Sequence, residues 1–152
     1  MRTLILGMGN PILSDDGVGI QVARMLKSRL NREDVTVMET SMAGLNLPEL
    51  LEDFDRAILI DAIQTGSGEI GRIYRFGAEA LDATRRASSS HGLNFSTALE
   101  LGSRLGLTLP KDIAIFAIEV ADVDTFGERC TSRVEEVIPA VADMIFRELD
   151  GG

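Results

Sequence analysis

The sequence predicts an α/β fold, a sandwich in which helices cover both faces of a mostly parallel sheet. Short apolar runs typical of buried strands alternate along the chain with segments of helical periodicity. The 152 residues, 45% of them hydrophobic, are enough for one compact domain with a core. No long polar segment, repeat or low-complexity segment divides the chain, so we expect a single domain over residues 1–152.

The first half of the chain supplies three predicted strands and two helices. The runs RTLILGM and DVTVME predict the first two strands, and the more completely apolar run RAILIDA predicts the third. A short helix is predicted in LNLPELLEDF. Between the first two strands the apolar spacing predicts an amphipathic helix, whose buried face carries Val18, Val22, Met25, Leu26 and Leu30.

The second half supplies the remaining elements. EIGRIYRF follows the third strand too closely for a helical crossover, so we expect a strand over Gly68 to Phe76 that pairs antiparallel and makes the sheet mixed. A helix around Ser96 to Leu105 is followed by the buried strand DIAIFAIEV. A final helix has Pro139 as a candidate kink, and its apolar face carries Val134, Val137, Ile138, Val141 and Ile145.

Charge and composition exclude several classes of function. The net charge is −9, from 24 acidic and 15 basic residues without a basic run, which argues against a nucleic-acid partner. The longest apolar run, Ile113 to Ile118, is far too short to cross a bilayer, and the N-terminus enters a strand without a signal-peptide pattern. We therefore expect a soluble, cytoplasmic protein without a membrane partner. An acidic chain without an obvious exposed apolar stripe favours a monomer.

The chain has one cysteine, Cys130, and one histidine, His91. A single cysteine excludes an internal disulfide and a thiolate metal cluster within the chain. Any metal would be held by His91 together with carboxylates, with coordination positions left open. Cys130 also offers a thiol-enzyme interpretation, because the dipole of the last helix would lower its pKa and His91 would serve as its base. More often such a cysteine is a small buried residue.

Polar residues follow several of the predicted strands. Ligands in α/β folds bind beyond the carboxyl ends of the strands. Asp15 and Asp16 follow the first strand, Asp61 ends the third, and His91 lies in the loop SSSHGLNF before a helix. We therefore expect these side chains to converge at one edge of the sheet.

Several acids at this edge also have structural interpretations. Ser14 or Asp15 is expected to cap the helix that follows and to complement its dipole. Asp61 is equally suited to a turn or a cap. Glu119 and Asp122, at and after the end of the last strand, are expected to be solvated loop acids.

The stretch GMGNPILSDDGVG also raises a dinucleotide-binding interpretation. A G-x-G-x-x-G pattern that begins at Gly7 requires a third glycine where Ile12 stands, and the two acids that follow would repel a pyrophosphate. Glu39, at the end of the second strand, does mimic the acid that binds ribose in Rossmann domains. Without the third glycine we expect no nucleotide cofactor.

Three stretches of the chain carry a family resemblance: GMGNPILSDDGVG, then LIDA, then the isolated histidine in SSHGLNF. The chain resembles the hydrogenase maturation endopeptidases, which process the large subunit of nickel-iron hydrogenases. The resemblance covers nearly the whole chain. It implies a three-layer α/β/α sandwich with a mixed, mostly parallel twisted sheet (phosphorylase/hydrolase-like), and a metal-chelating triad of Asp16, Asp61 and His91. Many members carry an Asp-Gly-Gly-Thr-like segment, linked to substrate recognition, where this chain has ETSMAG over Glu39 to Gly44.

The resemblance also implies a reaction. Nickel already inserted into the precursor, and so supplied by the substrate rather than stably held, would be sensed by Asp16, Asp61 and His91, which would serve recognition and catalysis jointly. The enzyme would then remove the C-terminal extension. Two carboxylates and one imidazole suit nickel but form an incomplete shell. The alternatives are a non-cleaving, nickel-sensing chaperone of the same precursor and, less similar, a peptidyl-tRNA hydrolase-like esterase, whose substrate is polyanionic.

Overall fold

A computed structural model describes residues 1–41, 47–66, 68–77, 88–89 and 95–151 of the chain. Its strands are β1 (Thr3–Met8), β2 (Val35–Thr40), β3 (Arg56–Gln64), β4 (Ile73–Gly77), β5 (Ser88–Ser89) and β6 (Asp112–Glu119). Its helices are α1 (Val18–Arg29), α2 (Leu47–Leu51), α3 (Phe95–Arg104) and α4 (Ser132–Gly151), and a 3₁₀ turn covers Ser14–Gly17.

The described strands form one mixed sheet in the order β2-β1-β3-β6-β4, with β5 paired to β3. The pairs β1 with β2, β1 with β3 and β3 with β6 are parallel, and β4 runs antiparallel to β6. These pairings confirm the predicted mixed, mostly parallel sheet. β4 begins at Ile73 rather than at Gly68, because the N–H of Arg72 donates to the carbonyl of Glu69 and closes a turn there.

Apolar side chains on both faces of the sheet are covered by helices. On one face, Ile58 and Phe116 belong to the core that α1 and α4 cover. On the other face, Leu59 and Ile115 pack with Leu47 and Leu51 of α2, and α3 packs beside α2. Burial on both faces explains why β3 and β6 are almost continuously apolar in sequence. The described residues therefore confirm the three-layer arrangement.

α4 is the longest described helix, with 20 residues. Its predicted apolar face is correct, because Val134, Val141 and Ile145 are fully buried in the core beside α1. Pro139 lies inside the helix and removes one backbone donor without ending it. None of the helices that the structure describes is long and apolar enough to cross a membrane.

β5 is a strand that apolar periodicity does not predict, because it consists of the two serines Ser88–Ser89. It pairs antiparallel with β3 at Ile63. β6 occupies one side of β3 as far as Ile63, and β1 occupies the other side as far as Ile60. Since a strand has only two pairing edges, β5 lies on the β1 side, beyond the end of β1. Asp61 stands where the pairing passes from β1 to β5.

A cluster of charged groups lies at the opposite edge of the sheet, where β3 begins. Arg56 is 4% exposed, and its guanidinium donates to the carbonyl of Glu148 at 2.6 Å and lies 3.4 Å from the Glu148 carboxylate. Asp112 is 3.5 Å from the same guanidinium. Arg75 of β4 also donates to Glu148, at 2.5 and 3.1 Å. Hydrogen bonding from Arg75, together with the charges of both arginines, holds the pKa of the Glu148 carboxyl below its ordinary value of 4.5.

The substitution Glu148→Gln is expected to lower the free energy of unfolding at neutral pH by about 1–3 kcal/mol, because it removes a charged partner of the buried Arg56. The folded-state pKa of Glu148 lies below its unfolded-state value, so this contribution is fully present above about pH 4.5 and is lost as the pH falls through the folded-state pKa. Urea unfolding of both proteins over a pH series measures the difference, which should shrink with acidification.

Glu100→Gln is the matched control, because Glu100 pairs with Arg104 at 2.9 Å on the exposed surface of α3. Exposed pairs of this kind contribute little, so the control should unfold close to the wild type. Equal losses in the two variants, or a Glu148→Gln difference that persists at low pH, would contradict the interpretation.

Candidate active site

Asp16 lies in the 3₁₀ turn that connects β1 to α1. Its side chain is 4% exposed, and Oδ2 accepts a hydrogen bond from the backbone N–H of Asn10 at 3.0 Å. The chain reverses in this loop because the N–H of Leu13 donates to the Asn10 carbonyl at 3.1 Å. The Asp16 carboxylate is therefore fixed inside the loop at the carboxyl end of β1.

Two glycines allow this loop to approach the sheet closely. Gly9 has a φ of +151°, and a Cβ there would lie 2.1 Å from the carbonyl oxygen of Asp16. A Cβ on Gly19, in the first turn of α1, would lie 2.3 Å from the carbonyl oxygen of Ile60. Since real Cβ contacts are never so short, larger residues are excluded at both positions. The 3₁₀ turn itself contacts β3, the strand that carries Asp61.

Asp61 lies within β3 and is 2% exposed. Its Oδ1 accepts a hydrogen bond from the N–H of Ala62 at 2.8 Å. Side chains alternate along a strand, so Asp61 shares a sheet face with Ala57 and Leu59, the face covered by α2 and α3. The described residues therefore place Asp16 and Asp61 at the same edge of the sheet, where ligands bind in α/β folds.

His91 lies outside the described residues. The nearest described residues in the sequence are Ser89, which pairs with Ile63 of β3, and Phe95, which begins α3. Within the described ranges no three His, Cys, Asp or Glu side chains are grouped so that they could hold a metal ion. The triad of Asp16, Asp61 and His91 stays a prediction.

Asp15 is structural, but the prediction that it or Ser14 caps α1 is wrong. The N-cap of α1 is Gly17, without a side-chain cap. Asp15 is fully buried, and its Oδ2 accepts hydrogen bonds from the N–H groups of Ala121 and Asp122, each at 3.1 Å. Its Oδ1 accepts from the N–H of Thr131 at 2.6 Å. The carboxylate joins the loop after β1, the loop after β6 and the start of α4, because these distant donors occupy both oxygens.

Glu119 is not the solvated loop acid that the sequence predicts. It is 2% exposed, and its carboxylate accepts hydrogen bonds from the N–H and the hydroxyl of Thr65, at 2.8 and 2.5 Å, and from the hydroxyl of Tyr74 at 3.1 Å. The continuous apolar run that it ends could have indicated burial. Asp122 does lie in a loop and is half-buried, and hydrogen bonds from Thr125 lower the pKa of its carboxyl.

Glu39 forms an ion pair with Arg24 of α1. The guanidinium donates to the two carboxylate oxygens at 3.1 and 2.9 Å, and this hydrogen bonding lowers the pKa of Glu39. The acid that resembled a ribose ligand therefore has a structural partner. In the stretch GMGNPILSDDGVG, Gly9 and Gly19 permit close approaches within the loop and between α1 and β3.

Cys130 is buried, and its Sγ lies 3.8 Å from the carbonyl oxygen of Ser14. Burial, with the negative charges of Asp15 and Glu135, raises the pKa of the thiol to about 12. The dipole-lowered pKa that a thiol enzyme needs is therefore contradicted. The interpretation of Cys130 as a small buried residue is confirmed.

Asp15→Asn is expected to lower the free energy of unfolding by about 2–4 kcal/mol, because the new amide NH₂ faces backbone donors. Asp122→Asn is the control of the same type, and it should remain close to the wild type because the amide oxygen can still accept from the N–H groups of Asp124 and Thr125. Urea denaturation measures both. Equal effects of the two substitutions would contradict a bridging role for Asp15.

The Cys130 thiol is expected to react with a disulfide reagent at about pH 8 at least ~100-fold more slowly in the folded chain than in the unfolded chain, since a thiol with so high a pKa is not ionised. The chain has one cysteine, so the absorbance change reports a single site. The same protein in guanidinium chloride provides the reference rate. Equal rates in the two states would contradict the buried, protonated thiol.

The family model HycI, described as hydrogenase maturation protease, matches residues 20–148. The chain is similar to the hydrogenase expression/formation protein HupD of Bradyrhizobium diazoefficiens, with 29% identity over 146 residues, which cover 94% of this chain and 75% of that protein. It is also similar to the hydrogenase 2 maturation protease of Escherichia coli, with 34% identity over 64 residues, which cover 41% of this chain and 39% of that protein.

Solved structures show the same fold. The hydrogenase maturating endopeptidase HybD from Escherichia coli aligns with a TM-score of 0.87 at 24% identity, covering 99% of this chain and 93% of that one. The [NiFe] hydrogenase maturation protease HycI from Thermococcus kodakarensis aligns with a TM-score of 0.72 at 25% identity, covering 95% of this chain and 89% of that one. These likenesses confirm the α/β architecture.

Proposed function

We propose an activity for this chain, which belongs to the hydrogenase maturation protease family. It is an endopeptidase that removes the C-terminal extension of a nickel-iron hydrogenase large-subunit precursor after nickel insertion. The nickel arrives with the precursor as part of the substrate. Asp16, Asp61 and His91 contact it and so align the bond to be cleaved.

The observation that supports this assignment most is the placement of two buried carboxylates at one edge of the sheet. The turn that carries Asp16 contacts β3. Asp61 lies on β3 where its pairing passes from β1 to β5. Carboxylates in a site of low dielectric attract a cation strongly. Ser89, two residues before His91 in the sequence, pairs with Ile63 of β3, the strand that carries Asp61.

The ligands Asp16, Asp61 and His91 would also explain why only a nickel-loaded precursor is cleaved. Carboxylate and imidazole groups are acceptable ligands for a divalent transition metal, but three of them leave the coordination shell incomplete. A site of this kind binds a metal firmly only when the precursor supplies the remaining ligands. A precursor without nickel would lack the shared contact and would not be aligned for cleavage.

The proposed reaction is a hydrolysis of one peptide bond. Water attacks the carbonyl carbon, the C–N bond breaks, and the proton released by the water passes through a carboxylate of the site to the departing amine. The nickel of the substrate positions the carbonyl and can polarise it.

A cytoplasmic location and a monomeric state, expected from the composition, stay predictions.

The test is an incubation of the chain with purified large-subunit precursor, with and without nickel, followed by intact-mass spectrometry. We expect C-terminal truncation only of the nickel-loaded precursor. Binding without a change in mass would favour the chaperone alternative. Truncation of the nickel-free precursor would contradict nickel recognition.

Single substitutions test the residue assignments in the same assay. Asp16→Asn, Asp61→Asn and His91→Ala are each expected to lower the cleavage rate by at least about 100-fold, a loss typical of the removal of a catalytic group. Cys130→Ser is the matched control and should keep activity, since its thiol is protonated and buried. Circular dichroism should show a native fold for all four. Inactive Cys130→Ser beside active triad variants would contradict the assignment.

A further inference from the structure

Two exposed apolar side chains lie on adjoining loops at the candidate active-site edge. Phe126, in the loop between β6 and α4, is 81% exposed, and Ile12, in the loop between β1 and the 3₁₀ turn, is 48% exposed. The N–H of Gly127 donates to the carbonyl of Ile12 at 2.8 Å, and the N–H of Ser14 donates to the carbonyl of Gly127 at 2.9 Å. We call these two side chains, held by the paired loops, the Ile12–Phe126 patch.

The backbone under the Ile12–Phe126 patch is fixed by several further contacts. The buried Asp15 carboxylate accepts hydrogen bonds from the start of the β6–α4 loop and from Thr131 at its end. Gln21 of α1 donates to the carbonyl of Glu128 at 3.2 Å. Phe126 therefore projects from an ordered loop, and its exposed side chain does not pack in the core. Adjoining exposed apolar side chains on ordered backbone, unlike single scattered ones, indicate an interaction surface.

The Ile12–Phe126 patch is near the proposed site of cleavage. Ile12 precedes Asp16 by four residues, so their Cα atoms are at most about 14 Å apart. An extended peptide of four or five residues spans that distance. A polypeptide whose cleaved bond lies at Asp16 can therefore place a nearby side chain on the patch.

The β6–α4 loop is acidic on balance, and its one basic residue, Arg129, pairs with Glu135 at 3.2 Å. Asp124 and Glu128 are exposed and flank Phe126 in the same loop, and the whole chain carries a net charge of −9. Charge complementarity therefore favours a partner segment that combines an apolar side chain with lysine or arginine. A second copy of this chain fits less well, because it would bring two acidic loops together.

We propose that the Ile12–Phe126 patch is a docking subsite for the precursor, occupied by an apolar side chain of the segment beside the cleaved bond, with a basic residue facing Asp124 and Glu128. This inference rests on the proposed function and adds a specificity-determining surface to it. The patch binds the polypeptide independently of nickel, whereas Asp16, Asp61 and His91 bind the nickel that the precursor carries. Two separate contacts select the substrate.

The test measures cleavage kinetics of nickel-loaded precursor by the wild type and by Phe126→Ser. We expect KM to rise by roughly tenfold and kcat to change less than about twofold, because a docking anchor contributes to binding and not to the chemical step. Leu105→Ser is the matched control, since Leu105 is a 68% exposed leucine beyond the end of α3. Asp124→Lys should also raise KM, and more so at low salt. Thermal unfolding verifies that the variants fold.

Interferometry with immobilised precursor separates the two proposals. A wild type that binds but does not cleave, with binding lost in Phe126→Ser, would support the subsite and overturn the endopeptidase proposal. Cleavage with the same KM in Phe126→Ser, Leu105→Ser and wild type would overturn the subsite alone. Absence of both binding and cleavage would overturn both. Light scattering that shows a dimer abolished by Phe126→Ser would assign the patch to self-association and overturn the docking inference.

Discussion

The first turn of α1 lies directly on the backbone of β3, at a distance that only glycine permits. Gly19 faces the carbonyl of Ile60, and Gly9 faces the carbonyl of Asp16. These two close approaches place a helix start, a strand end and the turn between them in one small volume. Because of this packing, Asp16 and Asp61 lie at the same edge of the sheet. A methyl group at Gly19 would push α1 away from β3 and separate the elements that carry the two acids.

The adjacent acids Asp15 and Asp16 are chemically alike, but their surroundings divide their roles. Both oxygens of Asp15 accept hydrogen bonds from the β6–α4 loop and from Thr131. That carboxylate fixes three segments of the chain and cannot serve a substrate without breaking them. Asp16 lies in the turn that contacts β3, and its Oδ2 accepts a hydrogen bond from the N–H of Asn10 in the same loop. A structural acid therefore holds a candidate functional acid in place, and it also orders the loop that presents Phe126.

Local pattern predicted most of the fold because β1, β3 and β6 are buried on both faces and each long helix has one apolar face. Local pattern failed where contacts with residues distant in the sequence determine the structure. The two serines of β5 carry no apolar signal, and only the vacant edge of β3 beyond β1 makes them a strand. The burial of Glu119 depends on Thr65 and Tyr74, and the partners of Asp15 come from the other end of the chain. The order of the strands was enough to predict which edge of the sheet carries Asp16 and Asp61. The predicted position of His91 stays a prediction, because His91 lies outside the described residues.

The central claim is that Asp16, Asp61 and His91 form one site. Nuclear magnetic resonance of the isotope-labelled chain during a titration with nickel chloride tests it most directly, because paramagnetic nickel broadens the signals of nearby nuclei. The single histidine makes the imidazole signals unambiguous. We predict that the imidazole signals of His91 and the amide signals of Asp16 and Ala62 broaden at the same nickel concentrations, and that Asp61→Asn reduces all three effects together. Broadening of His91 while Asp16 and Ala62 stay sharp would contradict the account.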